Sequence, residues 1–198
     1  MVVGSNPAGG ARNPSVLSKG GYMSNFVERR GLIQFGGRDV TVVGADITVG
    51  QQAPEFTVTA QNWQPFHGLA DTAGKVRIIA AVPSLDTAVC DRETRRFNEA
   101  AAALGEDIAI LVISTDLPFA QKRWCGAAGI EQVTVLSDHK DVDFGVKYGV
   151  LMKEVRVLRR AVFVVNREGK VVYVEYMPAL GEEPDYEAVL QAARQALG

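Results

Sequence analysis

From residue 76 onward, dense apolar runs alternate with amphipathic stretches. Val76-Arg77-Ile78-Ile79-Ala80-Ala81-Val82 and Ile108-Ala109-Ile110-Leu111-Val112-Ile113 are apolar at nearly every position, the pattern of strands covered on both faces. Val133-Thr134-Val135-Leu136 and Ala161-Val162-Phe163-Val164-Val165 repeat it at shorter length. Between them the period changes. Ala88 to Leu104 places Phe97, Ala101 and Leu104 on one stripe, and Leu117 to Ala128 spaces Leu117, Ala120, Trp124 and Ala128 by three and four, which is helical spacing. Val142 to Tyr148 predicts a short helix, and Asp185 stands where it can cap a last one running to Leu197. Asn166-Arg167-Glu168-Gly169 reads as the turn of an antiparallel hairpin whose second strand is Lys170 to Val174. Strand–helix–strand–helix, then hairpin and helix, predicts an α/β fold with a mixed sheet and helices on both faces.

The region before residue 76 is less regular. Leu32-Ile33-Gln34-Phe35 and Val40-Thr41-Val42-Val43 flank Gly36-Gly37-Arg38-Asp39, a β-hairpin whose glycine pair supplies the positive φ of its turn. Phe56 to Thr59 predicts a short strand and Pro65 to Gly74 a run of turns. Leu151 to Arg160 has no clear period and reads equally as a loop or a dimer surface. Residues 1–24, rich in Gly, Pro, Ser and Asn, predict a disordered tail ahead of a single domain over 25–198.

Composition narrows the function. The 198 residues are 47% hydrophobic and 22% charged, with a net charge of -2. No basic field advertises nucleic acid or an anionic membrane, and no apolar stretch approaches the ~20 residues of a membrane helix. The N-terminus lacks the apolar core of a secretory signal, so a cytoplasmic location is the expectation. Two cysteines, Cys90 and Cys125, are too few for a disulfide scaffold or an all-cysteine zinc site, and His67 and His139 show no ligand spacing with them. Three options follow for the pair: inert and buried, independently reactive, or cycling together.

The placement of Cys90 separates these options. Pro83-Ser84-Leu85-Asp86-Thr87-Ala88-Val89-Cys90 joins a buried strand to a helix. With Thr87 as N-cap, its hydroxyl would accept from the N–H of Val89 or Cys90, and Cys90 would be the third helical residue, its sulfur directed back toward the cap. Helix N-termini stabilise thiolates. Cys90 and Thr94 fall at the margin of the apolar stripe, so the sulfur is expected to face a pocket. Pro83 ends the strand ladder and shields one side.

The octapeptide resembles the peroxiredoxin signature: proline, three residues, threonine or serine, two residues, cysteine. Ser114-Thr115-Asp116-Leu117-Pro118-Phe119-Ala120-Gln121-Lys122-Arg123-Trp124-Cys125-Gly126 and Glu183-Pro184-Asp185-Tyr186-Glu187-Ala188 are similar to stretches of the thiol peroxidase branch. The resemblance runs from about residue 31 to the end. It implies a thioredoxin fold with an added N-terminal β-hairpin. It further implies a peroxidatic Cys90, a resolving Cys125 that meets it in an intramolecular disulfide after local unwinding, and no metal or organic cofactor. Of the two arginines ahead of the Ala161 strand, it selects Arg160 rather than Arg159 as the active-site cation, beside Thr87 and Pro83. The implied partners are hydrogen peroxide, alkyl hydroperoxides and thioredoxin as reductant, and the implied assembly is a homodimer. Two other classes compete. A thioredoxin-type disulfide oxidoreductase is disfavoured by the missing C-x-x-C. A redox sensor or binding module would use the same disulfide switch without turnover.

Overall fold

The computed structural model describes residues 26–198; the tail expected over 1–24 lies outside the described residues. The N-terminal segment supplies four two-residue strands, β1 (Glu28–Arg29), β2 (Gln34–Phe35), β3 (Arg38–Asp39) and β4 (Val42–Val43). The expected hairpin forms over β2 and β3, with Gly36 and Gly37 at φ 58° and 76°. It is shorter than its sequence pattern. Val40 still donates to the Ile33 carbonyl at 3.3 Å, but Val42 and Val43 are buried and leave for another sheet. Burial of two valines outweighs continuation of an exposed two-stranded ladder.

Strands β5 (Thr57–Thr59) and β6 (Pro65–His67) follow. The second corrects the expectation of turns alone from Pro65, because Pro65, Phe66 and His67 pair antiparallel with β5 at the sheet edge, where a proline is tolerated. The regular part then appears as its pattern indicated: β7 (Val76–Ala81), α1 (Ala88–Leu104), β8 (Ile108–Ser114), α2 (Pro118–Ala128), β9 (Thr134–Ser137) and α3 (Asp143–Lys147). Between α3 and the last hairpin, β10 (Leu151–Met152) and β11 (Val157–Leu158) pair where the sequence allows a loop as one reading. Leu151, Met152 and Leu158 are wholly buried, and two-residue strands are too short to leave a period in the sequence. The chain ends with β12 (Ala161–Val165), β13 (Val171–Tyr176) and α4 (Tyr186–Gln195). The Asp185 side chain accepts from the Ala188 N–H at 3.0 Å, as a cap should.

The main sheet runs β13-β12-β7-β8-β9-β5-β6. β7, β8 and β9 are parallel, and β12 lies antiparallel to β7 with Ala161 opposite Ala81. Alternation along the strands divides the core. Ile78, Ala80 and Val82 face α1, α2 and α4, with Phe97, Cys125 and Val189. Ile79 and Ala81 face α3 and the small sheet β1-β4-β10-β11, with Phe144, Val43 and Leu151. The parallel strands end together at one edge, where the loops after β7 and β8 and the start of β12 meet. The arrangement is thioredoxin-like, with a mixed sheet flanked by helices and the N-terminal strands in sheets of their own.

Candidate active site

The site begins where β7 stops. Val82 still donates to the Ile113 carbonyl at 2.9 Å, and the buried Pro83 has no N–H to extend the ladder. The chain turns through Ser84 to Asp86 into α1. Thr87 takes the N-cap position with an extended backbone, and Cys90, fully buried, is the third helical residue.

Two expectations about this turn are corrected. The Thr87 hydroxyl makes no capping bond. It donates to Cys90 Sγ at 2.8 Å, with the Ser84 carbonyl as a competing acceptor at 3.0 Å. One proton serves both. Beside a thiolate it goes to sulfur. Beside a thiol it turns to Ser84, leaving the oxygen free to accept S–H. The sulfur at the third helical position takes the hydroxyl that a backbone N–H would otherwise engage. The second correction concerns exposure. Cys90 and Thr94 are both 0% exposed, so the sulfur faces a charged neighbour rather than an open pocket.

That neighbour is Arg160. Its Nη2 donates to Cys90 Sγ at 3.2 Å and to the Leu180 carbonyl at 3.1 Å, and its Nη1 donates to Glu93 Oε2. Strand register delivers it. With Ala161 opposite Ala81, Arg160 stands beside the end of β7. Alternation turns it to the α1 face, while Arg159 turns away and lies 4.9 Å over the Tyr176 ring. Burial disfavours the Arg160 charge, but Glu93 and Cys90 outweigh it and hold the guanidinium above its ordinary range. The geometry thus brings together Thr87, Cys90 and Arg160, while Pro83 is buried where the turn leaves β7.

Sequence reasoning missed Glu93. It lies three residues beyond Cys90 on α1, hence on the same face, and is completely buried. An acidic residue inside the helix stripe was the available signal. Burial pushes its carboxyl up to about 7, against the downward pull of Arg160. Its Oε1 has no hydrogen-bond partner. Arg160 is therefore braced between a carboxylate and a sulfur, and one orientation of its fork meets both.

Cys125 stands elsewhere, on α2, buried and unbonded to Cys90. Gln61, in the β5–β6 turn, donates to its sulfur at 3.3 Å. Burial pushes the Cys125 thiol up, partly offset by that bond. A cleft of about 380 Å³ beside it is lined by Gln61, Ile130 and Leu136 among others. The two histidines stay outside the site: His67 ends β6, and His139 packs 5.6 Å from the Trp63 ring.

A buried sulfur contacted by a hydroxyl and a guanidinium, at the end of a thioredoxin-like strand, makes the fold and site those of a candidate thiol enzyme. Comparison with known proteins gives the family. The Redoxin family model matches residues 48–190. A thiol peroxidase from Halalkalibacterium halodurans is 52% identical over 83% of this chain and 98% of that relative, and the Bacillus subtilis thiol peroxidase is 53% identical over 82% and 96%. Among solved structures, a peroxiredoxin-like protein from Aquifex aeolicus superposes with a TM-score of 0.76 at 40% identity, covering 86% of this chain and 98% of its own. The chain belongs to the redoxin family and, within it, to the thiol peroxidases, peroxiredoxin-type peroxidases.

Proposed function

We propose that this protein reduces hydrogen peroxide and organic hydroperoxides at Cys90, with Cys125 as resolving cysteine and thioredoxin as reductant. The observation that carries the reading is the double contact of Cys90 Sγ with the Thr87 hydroxyl and the Arg160 guanidinium. The Cys90 thiolate attacks one peroxide oxygen. An S–O bond forms, the O–O bond breaks, and the departing oxygen takes a proton and leaves as water or alcohol. Negative charge moves from sulfur to that oxygen. Thr87 and Arg160 donate along this path, so their hydrogen bonds follow the charge. Glu93 keeps the guanidinium aimed, and Pro83 ends the strand ladder so that the turn to Cys90 can begin.

The sulfenic acid on Cys90 is then attacked by Cys125. An S–S bond forms and water leaves. The two sulfurs start on separate helices, each buried and bonded to other partners, so the step requires the first turn of α1 and part of α2 to open. The thioredoxin dithiol supplies two electrons through a mixed disulfide and returns both thiols. The cycle needs no metal or organic cofactor. We place it in the cytoplasm, where such a dithiol pool is kept reduced. Among the described residues no helix is long and apolar enough to cross a membrane. A homodimer belongs to the same reading, supported by the exposed Leu117, Phe119 and Trp63, the last two with ring centroids 4.9 Å apart.

The test is a steady-state peroxidase assay with thioredoxin. Cys90→Ser should abolish turnover. Cys125→Ser should consume about one equivalent of peroxide and then stop. Peroxide reduction by Cys90→Ser at the wild-type rate would overturn the assignment. Fast oxidation of the wild type without thioredoxin turnover would point instead to a redox sensor that uses the same switch.

A further inference from the structure

The Cys90 turn and the Cys125 helix are fastened to one side chain. Asp116 lies in the short link between β8 and α2. Its Oδ1 accepts from Ser84 Oγ at 2.8 Å, and its Oδ2 accepts from the Leu85 N–H and from Ser114 Oγ, each at 2.8 Å. Ser114 Oγ in turn accepts from Gln121 Nε2 at 3.0 Å. Gln121 is one helical turn before Cys125 on α2, and its Nε2 also donates to the Leu136 carbonyl at 2.7 Å. Ser114 and Gln121 are buried, at 1% and 0% exposure, so this end of the link works where hydrogen bonds are strong. Gln121 Oε1 has no partner; the link holds the amide by its nitrogen alone.

We infer that Asp116 is a positioning residue that couples the two cysteine-bearing segments, so that the turn before α1 and the first turns of α2 open together. The inference rests on the two-cysteine cycle proposed above. In the closed arrangement, Asp116 fixes Ser84 and Leu85, and through them the position of Thr87 against the Cys90 sulfur. Disulfide formation needs both segments released. Two independent openings would have to coincide, and the doubly open state would be as rare as the product of two small populations. A shared carboxylate makes release of one segment weaken the hold on the other. It should therefore act in opposite directions on the two half-reactions, favouring attack on peroxide and restraining attack by Cys125.

Asp116→Asn is the informative change. An amide keeps one acceptor oxygen and turns an NH2 toward donors that the carboxylate had satisfied. Amide hydrogen exchange on the full-length reduced protein reads the coupling directly. Loss of charge-assisted bonds predicts exchange about tenfold faster or more across 84–90 and across 118–128 alike. Ser84→Ala, which keeps the Leu85 bond, should give a smaller rise in both segments. Val40→Ala, which destabilises the N-terminal hairpin, should give a rise in neither. Stopped-flow mixing with one equivalent of peroxide should show slower oxidation of Cys90 and faster closure of the disulfide in Asp116→Asn. Gln121→Met cuts the other end of the link with the Asp116 side chain intact, and should still raise exchange over 84–90. It stands in if Asp116→Asn does not fold. Faster exchange confined to 84–90 in Asp116→Asn, or to 118–128 in Gln121→Met, would overturn the inference, as would an unchanged closure rate. If the wild type itself forms no Cys90–Cys125 bond with peroxide, the two-cysteine cycle fails, whereas the exchange experiment on reduced protein still decides whether Asp116 couples the segments.

Discussion

Thr87→Val isolates what the hydroxyl does. Valine keeps the β-branched shape and removes only the group that reaches Cys90 Sγ at 2.8 Å. A hydrogen bond to a charged partner is worth about 1.5–3 kcal/mol. Thr87 is exposed, so water competes and the lower half of that range applies. A loss of about 1.5–2 kcal/mol from the transition state corresponds to roughly 10- to 30-fold in rate. Stability should respond differently. A lost helix cap costs about 1 kcal/mol, at times 2, but Thr87 makes no capping bond. Its second acceptor, the Ser84 carbonyl, keeps the Thr87 N–H at 3.1 Å and is not orphaned. The change in unfolding free energy should therefore stay within about 0.5 kcal/mol. The assay is rapid-mixing oxidation of Cys90 in a Cys125→Ser background, where only the first step occurs, beside a denaturant titration. Thr87→Ser should restore the rate to within about threefold, since it restores the hydroxyl. An unchanged oxidation rate together with a 1–2 kcal/mol loss of stability would show that Thr87 is a helix cap after all and refute its place at the sulfur.

Arg160→Lys replaces a fork that meets Cys90, Glu93 and Leu180 with a single ammonium. Oxidation of Cys90 should slow at least about tenfold in the same rapid-mixing assay, despite the retained charge. Glu93→Gln should change how stability depends on pH. The wild-type carboxyl is raised to about 7 in the fold, so its contribution is complete below its unfolded value and is lost as pH climbs from about 4.3 to 7. Thermal melts across that window should move in favour of the variant, by at most about 4 kcal/mol; parallel curves would argue against a raised carboxyl. Gln61→Ala removes the bond that partly offsets the burial of the Cys125 thiol. Disulfide closure should slow at pH 7 and recover as pH rises, because thiolate is the attacking form. A pH-independent deficit would assign Gln61 a purely steric role.

The regular part of the fold was legible because its strands are buried on both faces and its helices carry a stripe. α1 is found where its period placed it. The small sheet β1-β4-β10-β11 was not legible. Strands of two residues carry no alternation, and Val42–Val43 is indistinguishable in sequence from a hairpin arm. At the site, Thr87 and Cys90 were legible through the strand–turn–helix junction, yet the direction of the Thr87 bond was not. A spacing of three serves a backbone cap and a sulfur contact equally. Composition and spacing alone left Arg159 and Arg160 as equals, and only pairing with β7 assigns each a face. Glu93 was hidden by its own charge, since a glutamate in a helix is normally solvated and its burial depends on an arginine 67 positions away.

The antiparallel entry of β12 has a consequence for the life of the chain. Ribosomal synthesis delivers Cys90 and Thr87 about seventy residues before Arg160, and Arg160 reaches the sulfur only when Ala161 has zipped onto Ala81. Until that last central strand is seated, Cys90 Sγ lacks its guanidinium contact and the Leu180 carbonyl that anchors the guanidinium. In the cycle proposed above, the full set of contacts at the sulfur therefore arrives in one step, with completion of the sheet, and a stalled or truncated chain carries the cysteine without its cation.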